Sequence, residues 1–318
     1  MNSFSINETN RYLKRKIDLF LCCSSFEERC FVIPKEIRKL KPKSTLVFYN
    51  GDFNDSIKTN AEILKSLFAG TCEKIELSLR DSTFTYTSIY TSLKYSFSNG
   101  KIQNILIDVT TFTHEMLLIL MKVISLLRKK NQSITFLYNA ASNYSINESE
   151  PEEKWLTKGV LYTRSVIGYP GITDLSLEDH LVIIFGFERD RTKRIIEDFN
   201  YSRITLAFGQ EKDSVSKGHY LINKARHQAF VDEFSNIDKL EVSLIDPYET
   251  KRQLIDYVTD LNQNIVIMPM NTKLSTIGVG LAALEIPKIQ IYYSLAARYN
   301  TLGYSEPSET VYKSEWTF

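Results

Sequence analysis

The sequence predicts an α/β protein made of two tandem, doubly wound domains with mainly parallel sheets. Short apolar runs alternate with helix-length amphipathic segments along the chain, and the second half repeats the first. Lys74-Ile-Glu-Leu-Ser-Leu-Arg-Asp81 is echoed by Lys239-Leu-Glu-Val-Ser-Leu-Ile-Asp246. Gln103-Asn-Ile-Leu-Ile is echoed by Gln263-Asn-Ile-Val-Ile, Glu27 by Glu188, and Ser149-Glu-Pro by Ser305-Glu-Pro. Alternating strands and helices imply right-handed crossovers onto a parallel sheet. The duplication therefore reads as two Rossmann-like domains, 1–165 and 166–318. Two copies of one unit are expected to pack with a pseudo-two-fold relation, leaving a cleft lined by paired side chains.

In the first copy the expected strands are 18–23, 45–49, 74–79, 105–108 and 134–138. In the second they are 181–185, 204–208, 239–244, 265–268 and 289–293. Most are continuous apolar runs, the pattern of strands covered on both faces. Helices are expected over 26–40, 57–68 and 114–129. In the last of these, Leu117, Leu120, Met121, Ile124 and Leu127 form one stripe at helical spacing. The joint is placed through Ser149 to Lys154 and the turn-rich Gly168-Tyr-Pro-Gly171.

A length of 318 residues gives each half enough chain for its own core. Lys and Arg nearly balance Asp and Glu, for a net charge of +1, so no global field attracts duplex nucleic acid. The basic runs Lys14-Arg-Lys16 and Arg128-Lys-Lys130 read as solvated element ends. Cys22, Cys23, Cys30 and Cys72 show no CxxC spacing and all fall in the first copy, which excludes a disulfide framework or a thiolate zinc site. No apolar run approaches the ~20 residues of a membrane span, and no signal-peptide layout opens the chain. A reducing, cytoplasmic setting is expected.

Ligands of open α/β sheets bind beyond the carboxyl ends of the strands, where loops turn into helix N-termini. After the first strand, Glu27 and Arg29 correspond to Glu188 and Arg191. These suit a ligand hydroxyl and an anion, or else Ser24 caps the helix and the acid and arginine complete its first turn. After the fourth strand come Asp108, Thr110, Thr111 and Thr113 in one copy and Asn271, Thr272, Lys273 and Ser275 in the other. Hydroxyls, an amide and a lysine at such a turn suit a phosphate or ribose, and capping threonines are the plainer reading. After the fifth strand, Arg298 beside Tyr293 and Tyr299 suits a base or phosphate, or the aromatics pack as walls. Asp81 and Asp246 are expected to cap helices. His114, His180, His219 and His227 show no metal-ligand spacing, and P-loop, GxGxxG and GxSxG motifs are absent from the sequence.

Asn271-Thr-Lys273 followed by the small-residue segment Ile277-Gly-Val-Gly-Leu-Ala-Ala283 resembles the Gly-Thr-Lys turn of CRISPR-associated Rossmann-like (CARF) domains. Fused pairs of such domains, as in SAVED modules, sense cyclic oligonucleotides. The resemblance implies a nucleotide cleft lined by Thr110, Thr111, Thr113, Thr272, Lys273 and Ser275, a protein partner carrying the effector activity, and a setting in bacterial antiviral signalling. No cofactor or metal is called for. A hydrolase of a nucleotide or nucleic acid, a metal-independent phosphodiesterase or a glycosidase-like enzyme using Asp108, Lys273 and Arg298, is the alternative. The aromatic tail with Tyr312, Trp316 and Phe318 opens a third reading, a subunit that docks other proteins.

Overall fold

The computed structural model describes residues 2–316 apart from 69, 71, 100, 101, 149, 151, 152, 200, 215 and 235. The elements of the first repeat run β1 (Asn2–Ser5), α1 (Thr9–Tyr12), β2 (Leu19–Cys23), α2 (Arg29–Ile37), β3 (Ser44–Asn50) and α3 (Asp55–Leu67). They continue with β4 (Cys72–Leu77), α4 (Ser82–Asn99), β5 (Asn104–Asp108), α5 (His114–Leu127), β6 (Ser133–Tyr144) and β7 (Thr157–Pro170). The second repeat has β8 (Asp179–Ile184), α6 (Arg189–Asp198), β9 (Arg203–Gly209), α7 (Lys217–Glu233), β10 (Ile237–Val242) and α8 (Pro247–Val258). It ends with β11 (Asn264–Pro269), α9 (Lys273–Glu285), β12 (Ile289–Tyr299) and β13 (Ser305–Glu315). All ten expected strands are present.

Two sheets result, ordered β1-β13-β6-β5-β2-β3-β4 and β10-β9-β8-β11-β12-β7. Strands β4-β3-β2-β5-β6 are parallel, as are β10-β9-β8-β11-β12. The repeat is thus reproduced in topology: each sheet starts at a central strand, winds two strands one way, and then winds two the other. Both units are Rossmann-like.

The domain boundary expected from the sequence is corrected. The compact units are 1–143 with 305–318, and 144–304. The sixth strand of each repeat has been exchanged. Strand β7 follows β6 in the chain but lies antiparallel to β12, from Thr157 opposite Tyr299 to Pro170 opposite Gln290. Strand β13 follows β12 but lies between β6 and β1. Its Trp316 amide bonds the Ile134 carbonyl at 2.8 Å, while Ser142 reaches the Glu306 carbonyl, so it too runs antiparallel to β6. The segment Gly168-Tyr-Pro-Gly171 is therefore the end of a strand. Its turn signal has a local cause, because Gly168 within β7 and Gly171 just past its end take positive φ of 94° and 68°. The other half of the expected joint, near 149–154, lies just beyond the true crossover, and Ser149 and Pro151 of the echoed Ser149-Glu-Pro are outside the described residues.

Exchange also lengthens the fifth strands. An antiparallel neighbour continues the hydrogen-bond ladder past the end of the parallel one, so β6 and β12 run to Tyr144 and Tyr299, beyond the expected ends at 138 and 293.

Local chemistry sets the helix starts. Asn54, Thr113, Ser216, Asp246 and Thr272 each accept a backbone N–H of the following turn, and Asp81 accepts the Phe84 amide at 2.9 Å. Ser24 departs from its expected role, because its hydroxyl donates to the Ile57 carbonyl at 2.7 Å. Helix α5 is buried over most of its circumference from Glu115 to Ile124, more than the single stripe its spacing suggested. The first core gathers Phe20, Cys22, Ile33, Val47, Leu64 and, from the exchanged strand, Val311. The second gathers Leu181, Phe185, Leu206, Phe230, Met268 and Met270. All four cysteines are free, and burial pushes the Cys30 thiol up to about 12. Among the described residues no helix is long and apolar enough to cross a membrane.

Candidate functional site

In both units the winding direction reverses between the first and fourth strands, β2 and β5 in one, β8 and β11 in the other. The loops leaving those strands flank a topological switch point. They are the loops that hold Glu27, Arg29, Asp108, Thr110, Thr111 and Thr113, and Glu188, Arg191, Asn271, Thr272 and Lys273.

Several of these side chains are committed inside the protein. Arg29 is 3% exposed. Its guanidinium donates to Glu27 Oε2 at 2.6 and 2.9 Å, to Ser305 Oγ at 2.9 Å and to the Asn139 carbonyl at 3.2 Å. Ser305 in turn donates to Glu27 at 2.6 Å. The second unit repeats the arrangement: Arg191 lies 3.6 Å from Glu188, donates to Thr157 Oγ1 at 3.0 Å and bonds the Ser294 carbonyl, while Thr157 donates to Glu188. Burial raises the Glu188 carboxyl, and Arg191 opposes that rise. Ser305 and Thr157 are the first residues of β13 and β7, so each acid–arginine pair latches the exchanged strand to a helix start. Neither the ligand reading nor the first-turn reading had foreseen this partner. The signal was thin: a hydroxyl at the head of each repeat's last strand.

Asp108 is buried beneath the switch point. It accepts the Thr110 amide at 3.0 Å and the Thr110 hydroxyl, and Thr110 Oγ1 accepts the Asn139 amide at 3.0 Å. Asn139 extends the chain by donating to the Ser308 and Thr310 carbonyls of β13. Burial raises the Asp108 carboxyl to about 7, against the pull of Thr110 and Arg29. A carboxyl raised above its unfolded value near 3.8 contributes most stability when protonated, and that contribution is lost as pH rises through about 7. Asp108→Asn is therefore expected to flatten the fall in stability between about pH 4 and 7, a difference on the order of a few kcal/mol. Urea midpoints of the two proteins across that range measure it; parallel curves would refute the assignment.

At the switch points the two loops are stitched together. Thr111 donates to the Cys23 carbonyl at 2.6 Å, and Asn271 occupies the equivalent place by donating to the Phe185 carbonyl. Gly186 approaches so closely that a Cβ there would stand 2.4 Å from the Met270 carbonyl oxygen. Thr272 caps α9 through the Ser275 amide at 3.1 Å and donates to the Leu244 carbonyl at 2.5 Å. Ser275 is fully buried. What faces outward is the rim: half-buried Thr113 and His114 open α5, and half-buried Asn271, Thr272 and Lys273 open α9.

Arg298 is not brought to this rim by any strand-end turn. It is exposed within β12, opposite Lys158 of β7, and Tyr299 is opposite Thr157. Its expected place after the strand is corrected by the longer ladder. Among the other histidines, His180 is structural, with Nε2 2.7 Å from Thr205 Oγ1 and burial lowering its pKa to about 4. No group of three metal-ligating side chains occurs among the described residues.

No protein-family model matches the chain, and no curated protein matches it.

Proposed function

We propose that the protein binds a nucleotide-like, phosphate-bearing small molecule at the switch point of its second unit and acts as a sensor or regulatory subunit. One observation carries the reading: Lys273 is the first residue of α9, at the turn where the winding of the sheet reverses. A helix start presents backbone N–H groups and the positive end of its dipole, and a lysine there adds positive charge that suits a phosphate oxygen. Asn271 and Thr272 hold that turn in place through the Phe185 and Leu244 carbonyls. In the first unit Thr113 and His114 occupy the equivalent turn without a lysine, which supports assigning the anion to the second. The resemblance to CARF and SAVED domains adds cyclic oligonucleotides as the ligand class, a partner protein as carrier of the output, and antiviral defence as the setting.

Calorimetry with cyclic di- to hexanucleotides and with simple mononucleotides tests the reading. At least one is expected to bind, and Lys273→Ala to weaken it about tenfold or more with the fold unchanged. No heat from any of them, with a folded sample, would overturn it.

One observation favours hydrolysis instead, the Asp108 carboxyl held at about 7, a suitable value for a general base. Its burial beneath Thr110 and Asn139 favours binding over turnover. Product formed without added metal and abolished in Asp108→Asn would reverse that preference.

A further inference from the structure

Away from the switch point, helix α7 covers a hollow of about 150 Å³ over the carboxyl-terminal parts of β9 and β10. Phe208, Val231 and Leu244 give it apolar walls, and Lys224, Lys239 and Glu241 stand among its lining residues. Two polar side chains on one face of α7, four residues apart, also line it: Asn223 and His227. His227 is only 7% exposed. Its ring packs against those of Phe185 and Phe208, each centroid 4.3 Å away, and it bonds the backbone of Gly186. Its Nε2 and the Asn223 Oδ1 are buried and have no hydrogen-bond partner among the described residues.

Buried polar atoms are nearly always paired, and an unmet one costs about 1–3 kcal/mol. Burial lowers the His227 pKa to about 3, so the ring is neutral at physiological pH. Its single ring proton is engaged by the Gly186 carbonyl, which leaves Nε2 as a lone-pair acceptor. Asn223 Oδ1 is an acceptor as well. Two acceptors on residues that line one hollow suit an occupant that supplies donors. An engineered cavity of ~150 Å³ holds one benzene ring, which limits the occupant's size.

We propose that the hollow under α7 is a binding site for a single-ring heterocycle carrying N–H donors, such as an aminopyrimidine, received by His227 Nε2 and Asn223 Oδ1. The amino group of such a ring offers two hydrogens, the walls take its faces, and the lysines suit an anionic substituent. This goes beyond the switch-point reading and stands without it, because Lys273 takes no part in the hollow.

Calorimetry with cytosine, cytidine monophosphate and toluene tests the proposal on the full chain. Cytosine is expected to bind saturably, and cytidine monophosphate more tightly if the lysines engage its phosphate. His227→Phe keeps a flat ring against Phe185 and Phe208 but removes the acceptor, so it should weaken cytosine about tenfold. Asn223→Leu, at a half-exposed position, should act likewise and serves if the first variant fails to fold. Lys273→Ala should leave cytosine binding unchanged, which separates failure here from failure of the switch-point site. Absence of saturable binding by both pyrimidines in the folded wild type, toluene binding as well as cytosine, or equal affinity in the variants would overturn the proposal.

Discussion

Arg29→Ala is expected to destabilise the first unit by about 3–5 kcal/mol, the usual result of removing one partner from a buried ion pair. Glu27 would be left almost wholly buried with, among the described residues, only the Ser305 hydroxyl against its carboxylate, and the Asn139 carbonyl would lose a donor. A loss of that size is a large fraction of a domain's 5–15 kcal/mol, so the urea midpoint should fall steeply. Arg29→Lys keeps the charge but not the fork that reaches Glu27, Ser305 and Asn139 together, so it should recover only part of the loss. The double change Glu27→Leu with Arg29→Met removes both charges and should be milder than Arg29→Ala, since apolar replacement of a whole buried pair is often neutral or stabilising. Hydrogen exchange adds a local readout, with β13 amides expected to lose protection first. A cost below about 1 kcal/mol for Arg29→Ala, the level of an exposed pair, would show that the latch holds nothing.

The same latch explains what the sequence revealed and what it concealed. Core strands were legible because runs such as Leu19–Cys23 and Ile265–Met268 are apolar at every position, as strands covered on both faces must be. The duplication was legible because those runs recur in order. Strand exchange was not, because periodicity says that a segment is a strand and is silent on which sheet accepts it. The end of Thr157–Pro170 carries the turn-forming run Gly168-Tyr-Pro-Gly171, and so it read as part of the joint. The echo between Ser149 and Ser305 compounded this: by bonding pattern, Thr157 is the counterpart of Ser305. The polar residues after the first and fourth strands lie in the loops beside the switch points, yet sequence could not separate side chains that hold a loop, such as Thr110 and Ser275, from those at the rim, such as Lys273. His227 was passed over because a lone histidine on a helix has no spacing partner to mark it. Only the fold shows Asn223 and His227 sharing a hollow.

Removing 305–318 should unfold the first unit and spare the second, although in the chain those residues close the second repeat. The segment supplies β13, which is hydrogen-bonded to β6 on one side and β1 on the other. Val311 is fully buried in the first core. Trp316 is 5% exposed and stacks on Phe136 with ring centroids 5.7 Å apart, and Tyr312 lies against Tyr138. Described in this way, the tail is folded onto its own unit up to Trp316, and Phe318 lies outside the described residues. Each large apolar side chain that loses its burial costs about 1.5–3 kcal/mol, and the truncation also strips Ser305 from Glu27 and Arg29 and leaves Asn139 without its two carbonyls. The total is comparable to the whole stability of a domain. It also bares the edge of β6, a long strand able to pair with another chain, so aggregation should accompany the loss. Hydrogen exchange on the truncated protein decides the matter by location: protection is expected to vanish across β2 to β6 and to persist across β8 to β12. Loss confined to the second repeat, or spread equally over both, would mean that the exchanged strand does not belong energetically to the sheet that it joins.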